Sequence, residues 1–433
     1  MGAASANRIC MNSVLVPPAG VFDGELRGPL LRFVQAAFAL AARDLSSGAE
    51  VPFVLDAHEG RESSLYSYRP LYNAFLDERR ALILSLPDAR RALGLLEATP
   101  GALEYARLHV GDGVDDREAL RAAVMWPLLV QIAEREDGFE TPDEAFDAIF
   151  APLDRGVAGS RHLYDAMAPL LGVLVSEPPA DLGRGVALVR ADVGDIAASW
   201  PEAGQLVPPG FGSEPDRRCA LAATLELEPG ERPPRLADLI DDAVRALRLV
   251  SGAAIATGPV GFERIDGGSR PPVALSSSSS RHVEGAYYRF DTHLLVVARA
   301  TALRIGALDP RDPRREALEL FERALALAAP LRADALRDAL GLALRSERSL
   351  ALTALRAGAL AGRDAGERQR VRDLVAGDIS HDEALAAAAR NVLLAVVLDE
   401  QEADAIAASA DQVLLGARPR PNLVPHGVAE LPR

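Results

Sequence analysis

Across residues 27–46, apolar positions Leu30, Leu31, Phe33, Val34, Phe38 and Leu45 recur at helical spacing, and "SSG" at 46–48 closes the run. A helix is predicted there. "VPFVLDAHEG" at 51–60 is a short apolar run ending in turn residues, the pattern of a strand. From Tyr68 to about Ala151 almost every segment is patterned as helix, including "YRPLYNAFLDERRALILSL" and "REALRAAVMWPLLVQIAERE". In "TPDEAFDAIFAPL", Thr141 is positioned to cap, Pro142 suits the first helical residue, and Glu144 completes a capping box. "RHLYDAMAPLLGVL" at 161–174 predicts one more helix.

The texture then changes. "GVALVRAD", "RCALAATLELE" and "AIATGPVGFERID" are predicted strands, with "RLADLIDDAVRALRLV" as a helix between the last two, and Pro-rich loops separate them. "GGSRPPVALSSSSSRHVEG", 267–285, is a linker by composition, because serine, glycine and proline cannot bury enough apolar area to order it. Helical patterning resumes at Asp291 and continues through "DTHLLVVARATALRIG", "DPRREALELFERALALAAP", "LRADALRDALGLALRSERSLALTALRAGALAG" and "ERQRVRDLVAG". Asp312 before Pro313 is a helix start, while Gly362 and Gly377 are helix stops. Ser380 with Glu383 forms a capping box for the next helix, whose body "ALAAAARNVLLAVVL" at 384–398 is too short for a membrane span and carries Arg390 and Asn391. The expected fold is therefore mainly α. It comprises a helical N-terminal region at 1–177, a small mixed α/β module at 178–275, a C-terminal helical bundle at 286–416 and a Pro-rich tail at 417–433.

Composition narrows the chemistry. Apolar residues make up 49% and charged residues 25% of the 433, as in an ordinary packed protein, and aromatics only 5%, which favours helices that approach through Ala and Leu. A formal net charge of -15 gives no general attraction to nucleic acid or to anionic membranes. All 47 basic residues are arginine; without lysine there is no Walker A loop, no pyridoxal phosphate Schiff base and no lysine general base. Cys10 and Cys219 are isolated, so no zinc cluster is expected, and no cofactor is implied. The N-terminal residues lack a long apolar h-region, and Ala6 stands where myristoylation requires Ser or Thr. A cytoplasmic protein with no membrane partner is expected. GxSxG, GxGxxG and EF-hand patterns are absent from the sequence.

Four stretches carry candidate chemistry. "LDAHEG" sets Asp56 and His58 on one side of a strand end beside Glu59, the beginning of a metal site that lacks a second cluster. "RHLYD" offers His162 and Asp165 at helical spacing. "YYRFDTHLL" contains Tyr287, Arg289, Asp291 and His293, with Asp291 also placed to cap a helix. "RVRDLVAGDISHDE" contains Arg372 and His381.

The run 245–267, the linker, and the segments 317–346 and 367–398 follow an order that resembles Apea-like proteins, in which a mixed region precedes a HEPN-type helical bundle. The resemblance implies an arginine followed after four to six residues by a catalytic histidine. Arg372 matches, but the positions that follow it from Ala376 to Ile379 hold no histidine, and His381 follows Arg372 only after eight intervening residues. RNA cleavage needs a base at the 2′-hydroxyl and a cation for the developing charge. The expected role is thus a non-catalytic binding or regulatory one, with a homodimer through the bundle as the implied assembly and RNA as a partner that bulk charge does not support. Two alternatives stay open: a metal-independent ribonuclease using His381 or His293 with Arg372, and a structural or assembly component without ligand.

Overall fold

The computed structural model describes residues 25–59, 64–111, 113–140, 142–158, 161–176, 178–197, 200, 203–208, 211, 219–228, 230–266, 268–275, 287–362, 364–377 and 382–417. The fold is mainly α, with a sheet in the middle of the chain and helices after it. The chain clusters into two compact units, Met1–His162 with Glu228–Glu231, and Leu163–Leu227 with Arg232–Arg433.

In the first unit the helix Arg27–Ser46 buries Leu30, Phe33, Val34, Ala37, Phe38 and Ala41, the stripe expected from its spacing. An antiparallel hairpin, Phe53–Glu59 with Ser64–Pro70, follows it. Its first strand is the one predicted, whereas the second takes up the beginning of a stretch patterned as helix. The helices Tyr72–Asp77, Arg80–Ser85, Pro87–Ala98, Pro100–Val110, Asp116–Leu120, Trp126–Arg135 and Asp143–Val157 complete the unit, with a π-helical turn at Arg121–Met125. Phe139 packs edge-on against Phe38 and Tyr72 in its core. Pro142 occupies the N-cap of the last helix rather than its first turn, and Thr141 lies outside the described residues.

The second unit corrects one expectation. Residues 161–174 do not form a helix: His162–Leu171 and Val173–Val175 are strands. His162–Leu171 is buried on both faces along most of its length and pairs antiparallel with Val260–Ile265, so Tyr164 meets Ile265 and Asp165 meets Arg264. A short, nearly continuous apolar run fits a buried strand as well as a helix, and its partner, about a hundred residues on, decides between them. The sheet runs, in order, Gly268–Ser269, Val260–Ile265, His162–Leu171, Cys219–Leu227, Val186–Arg190, Ala180–Gly183. The helix Leu236–Ser251 and the first two predicted strands form as expected, whereas the third, 254–266, is divided at Gly258 and Pro259 into Ala256–Thr257 and Val260–Ile265. Leu236 packs so closely over Gly261 that a Cβ there would stand 2.4 Å from its Cδ2.

The bundle consists of Thr292–Ala307, Pro313–Leu325, Leu331–Ala343, Leu350–Ala361, Ala365–Ala376, Asp382–Leu398 and Ala403–Leu414. Asp382–Leu398 is its axis; Leu385, Ala388, Ala389 and every residue from Arg390 to Val397 are buried. The stretch 331–362 breaks in two where Arg345 adopts a left-handed backbone (φ 53°) and Ser349 caps the next helix. Asp312 caps the helix that Pro313 opens, and Gly362 and Gly377 sit at helix C-caps. Of the predicted linker 267–285, Gly268–Ser269 and Val273–Ala274 are instead strands paired with Val260–Ile265, because backbone bonds to that strand order them without apolar burial of their own; residues 276–285, Ser380 and the tail from 418 lie outside the described residues. No helix among the described residues is long and apolar enough to cross a membrane.

Candidate functional site

Arg372 lies on the helix Ala365–Ala376, whose first turn is capped by the Asp364 carboxylate. Its side chain crosses Gly358 of the neighbouring helix; a Cβ at Gly358 would stand 3.0 Å from Cγ and 3.4 Å from Nε of Arg372. The Arg372 Nε is buried and has no hydrogen-bond partner among the described residues. The arginine therefore serves a tight helix–helix contact. His381 lies outside the described residues. His293 is exposed on the first turn of Thr292–Ala307, whose cap is Asp291, accepting from the Leu294 N–H at 2.8 Å. Of the "YYRFDTHLL" set, Asp291 thus has a capping role, and Arg289 is exposed on the short strand Tyr288–Phe290.

His162 and Asp165 belong to a strand, so their separation of three places them on opposite faces rather than together. Asp165 is held by Arg264 Nε at 3.1 Å and Thr224 Oγ1 at 2.9 Å. Asp56, His58 and Glu59 lie in the strand Phe53–Glu59, and their side chains are outside the described set. Among the described residues no group of three or more His, Cys, Asp or Glu could hold a metal.

The densest charged arrangement was not singled out by the sequence. The helix Leu236–Ser251 carries Asp241, Asp242, Arg245 and Arg248, while Pro313–Leu325 carries Arg315, Glu319 and Glu322. Spacings of three, four and seven place each set along one side of its helix, and the two helices pack together. At the outer end Arg184 Nη1 lies 3.0 Å and Arg315 Nη1 3.6 Å from the Asp242 carboxylate. Arg245 joins Asp241 at 2.7 Å and Glu319 at 3.5 Å. At the inner end Arg248 meets Glu322 at 3.0 Å and donates from Nε to the Ile255 carbonyl at 2.7 Å. Burial pushes the carboxyls of Asp242 and Glu322 up, against the pull of the arginines, and burial lowers the Arg248 guanidinium. Arg184 reaches this ladder from a hairpin in which Gly183, Arg184 and Gly185 all have positive φ, and Gly306 leaves the space for it.

At the start of Pro313–Leu325, the end that carries Arg315, a cavity of about 550 Å³ opens where that helix and Ala403–Leu414 both begin. Two arginines build its inner wall. Arg314, buried, donates from Nη1 to the carbonyls of Val396, Asp399 and Gln401 and is clamped by Asp312 at 2.7 Å. Arg304 donates from Nη2 to the Asp399 carbonyl at 2.7 Å, and its Nε is buried with no hydrogen-bond partner among the described residues. Cations at the last carbonyls of Asp382–Leu398 suit the negative end of that helix. Arg345 is turned toward Asp404 at 2.8 Å, and Glu400 and Glu402 complete the rim. Burial works against ionisation of Asp312, but the hydrogen bonds and charge of Arg314 outweigh it and hold the carboxyl below the ordinary value.

Chemically the ladder stores matched charge, and the cavity is lined by the four arginines Arg304, Arg311, Arg314 and Arg345 together with five carboxylates. No family model, curated protein or solved structure matches the chain.

Proposed function

We propose that the chain is a non-catalytic binding or regulatory protein, acting in the cytoplasm, of the Apea-like HEPN type that the order of its C-terminal segments resembles. One observation carries this reading: Arg372, the residue in register with the signature arginine, is laid across Gly358 with its Nε buried, a packing role rather than a presentation to substrate. The pairing of acids with arginines along the Leu236–Ser251 and Pro313–Leu325 interface supports it, because a carboxylate held by a guanidinium is a poor general base. The mixed-charge cavity supplies a surface on which binding without chemistry can occur.

Labelled RNA incubated with the full chain and with His381→Ala tests this reading. The expected result is no cleavage by either protein. Metal-independent cleavage by the wild type that disappears in His381→Ala overturns it. A homodimer through the C-terminal bundle is the assembly proposed alongside, and light scattering at micromolar concentration checks it; a monomer removes it.

A further inference from the structure

We draw no further inference here: the strongest candidate, the exposed apolar face of the helix Thr292–Ala307 formed by Val296 and Leu303, carries none because nothing in the structure shows what covers it.

Discussion

The guanidinium of Arg248 stands 3.0 Å from the carboxylate of Glu322, with side-chain exposures of only 2% and 3%. Both charges have left water, and their attraction has to offset a desolvation cost of several kcal/mol per ion. Removing one partner leaves the other charged and buried. Arg248→Met is therefore expected to cost about 3–5 kcal/mol, and Arg248→Met/Glu322→Leu to recover most of that loss, as read by urea unfolding of the full chain. A double variant no more stable than the single one would show that the pair is not the energetic unit.

A second relationship fixes a glycine. Gly252 ends Leu236–Ser251 in the left-handed region (φ 70°), and a Cβ there would lie 3.3 Å from Cδ and 3.4 Å from Nη1 of Arg390. Arg390 in turn donates to the Ser251 carbonyl at 3.1 Å, a cation at a helix C-terminus. Gly252→Ala is expected to lose about 1–2 kcal/mol through the backbone alone. Gly94→Ala, inside Pro87–Ala98 with open space around its Cβ position, should instead gain about 0.5–1 kcal/mol. Opposite signs in denaturant midpoints check the pair.

Two carboxyls should titrate stability in opposite directions. Asp312, whose bonds to Arg314 prevail over burial, has a folded value below 3.8, so its contribution is complete above pH 3.8 and is lost as pH falls through the folded value. Asp242 is pushed up by burial in spite of Arg315 and Arg184, so its contribution is present below pH 3.8 and is lost as pH rises through the folded value. Unfolding free energies measured from pH 3 to 7 should flatten at the acid end in Asp312→Asn. In Asp242→Asn, the decline with rising pH should shrink. Slopes identical to wild type in both variants would contradict the assignment.

What was legible in the sequence was local. Asp291 and Asp312 are caps because a short carboxylate and the next few N–H groups suffice, and the helix 384–398 is buried because its apolar residues run all round it. The strand His162–Leu171 was not legible, because Leu163, Met167 and Leu170 are also spaced as a helix face; only the distant partner Val260–Ile265 distinguishes the two. The charged ladder was missed for the same reason, since Arg248 and Glu322 are 74 residues apart. A signal was nonetheless present: Arg248 stands in the run Ala246, Leu247, Leu249, Val250, where a charge on an otherwise buried helix implies a partner. The cavity has no sequence signature, as its walls are helix ends brought together by the bundle.

The hairpin that carries Arg184 gives the last test. Three successive left-handed residues, with φ of 91°, 54° and 76°, suit glycine at the two flanks but cost an arginine about 1–2 kcal/mol at the centre. The Arg184 side chain is 57% exposed, and its ion pair with Asp242, itself 12% exposed, is the observed return for that conformation. Arg184→Gly relieves the backbone and removes the ion pair together, so its net effect in the wild type should be small. In an Asp242→Asn background only the relief remains, and the same substitution should stabilise by about 1 kcal/mol. Urea midpoints of the four proteins form the cycle. Equal effects of Arg184→Gly in both backgrounds would mean that Asp242 is not what keeps an arginine at the tip.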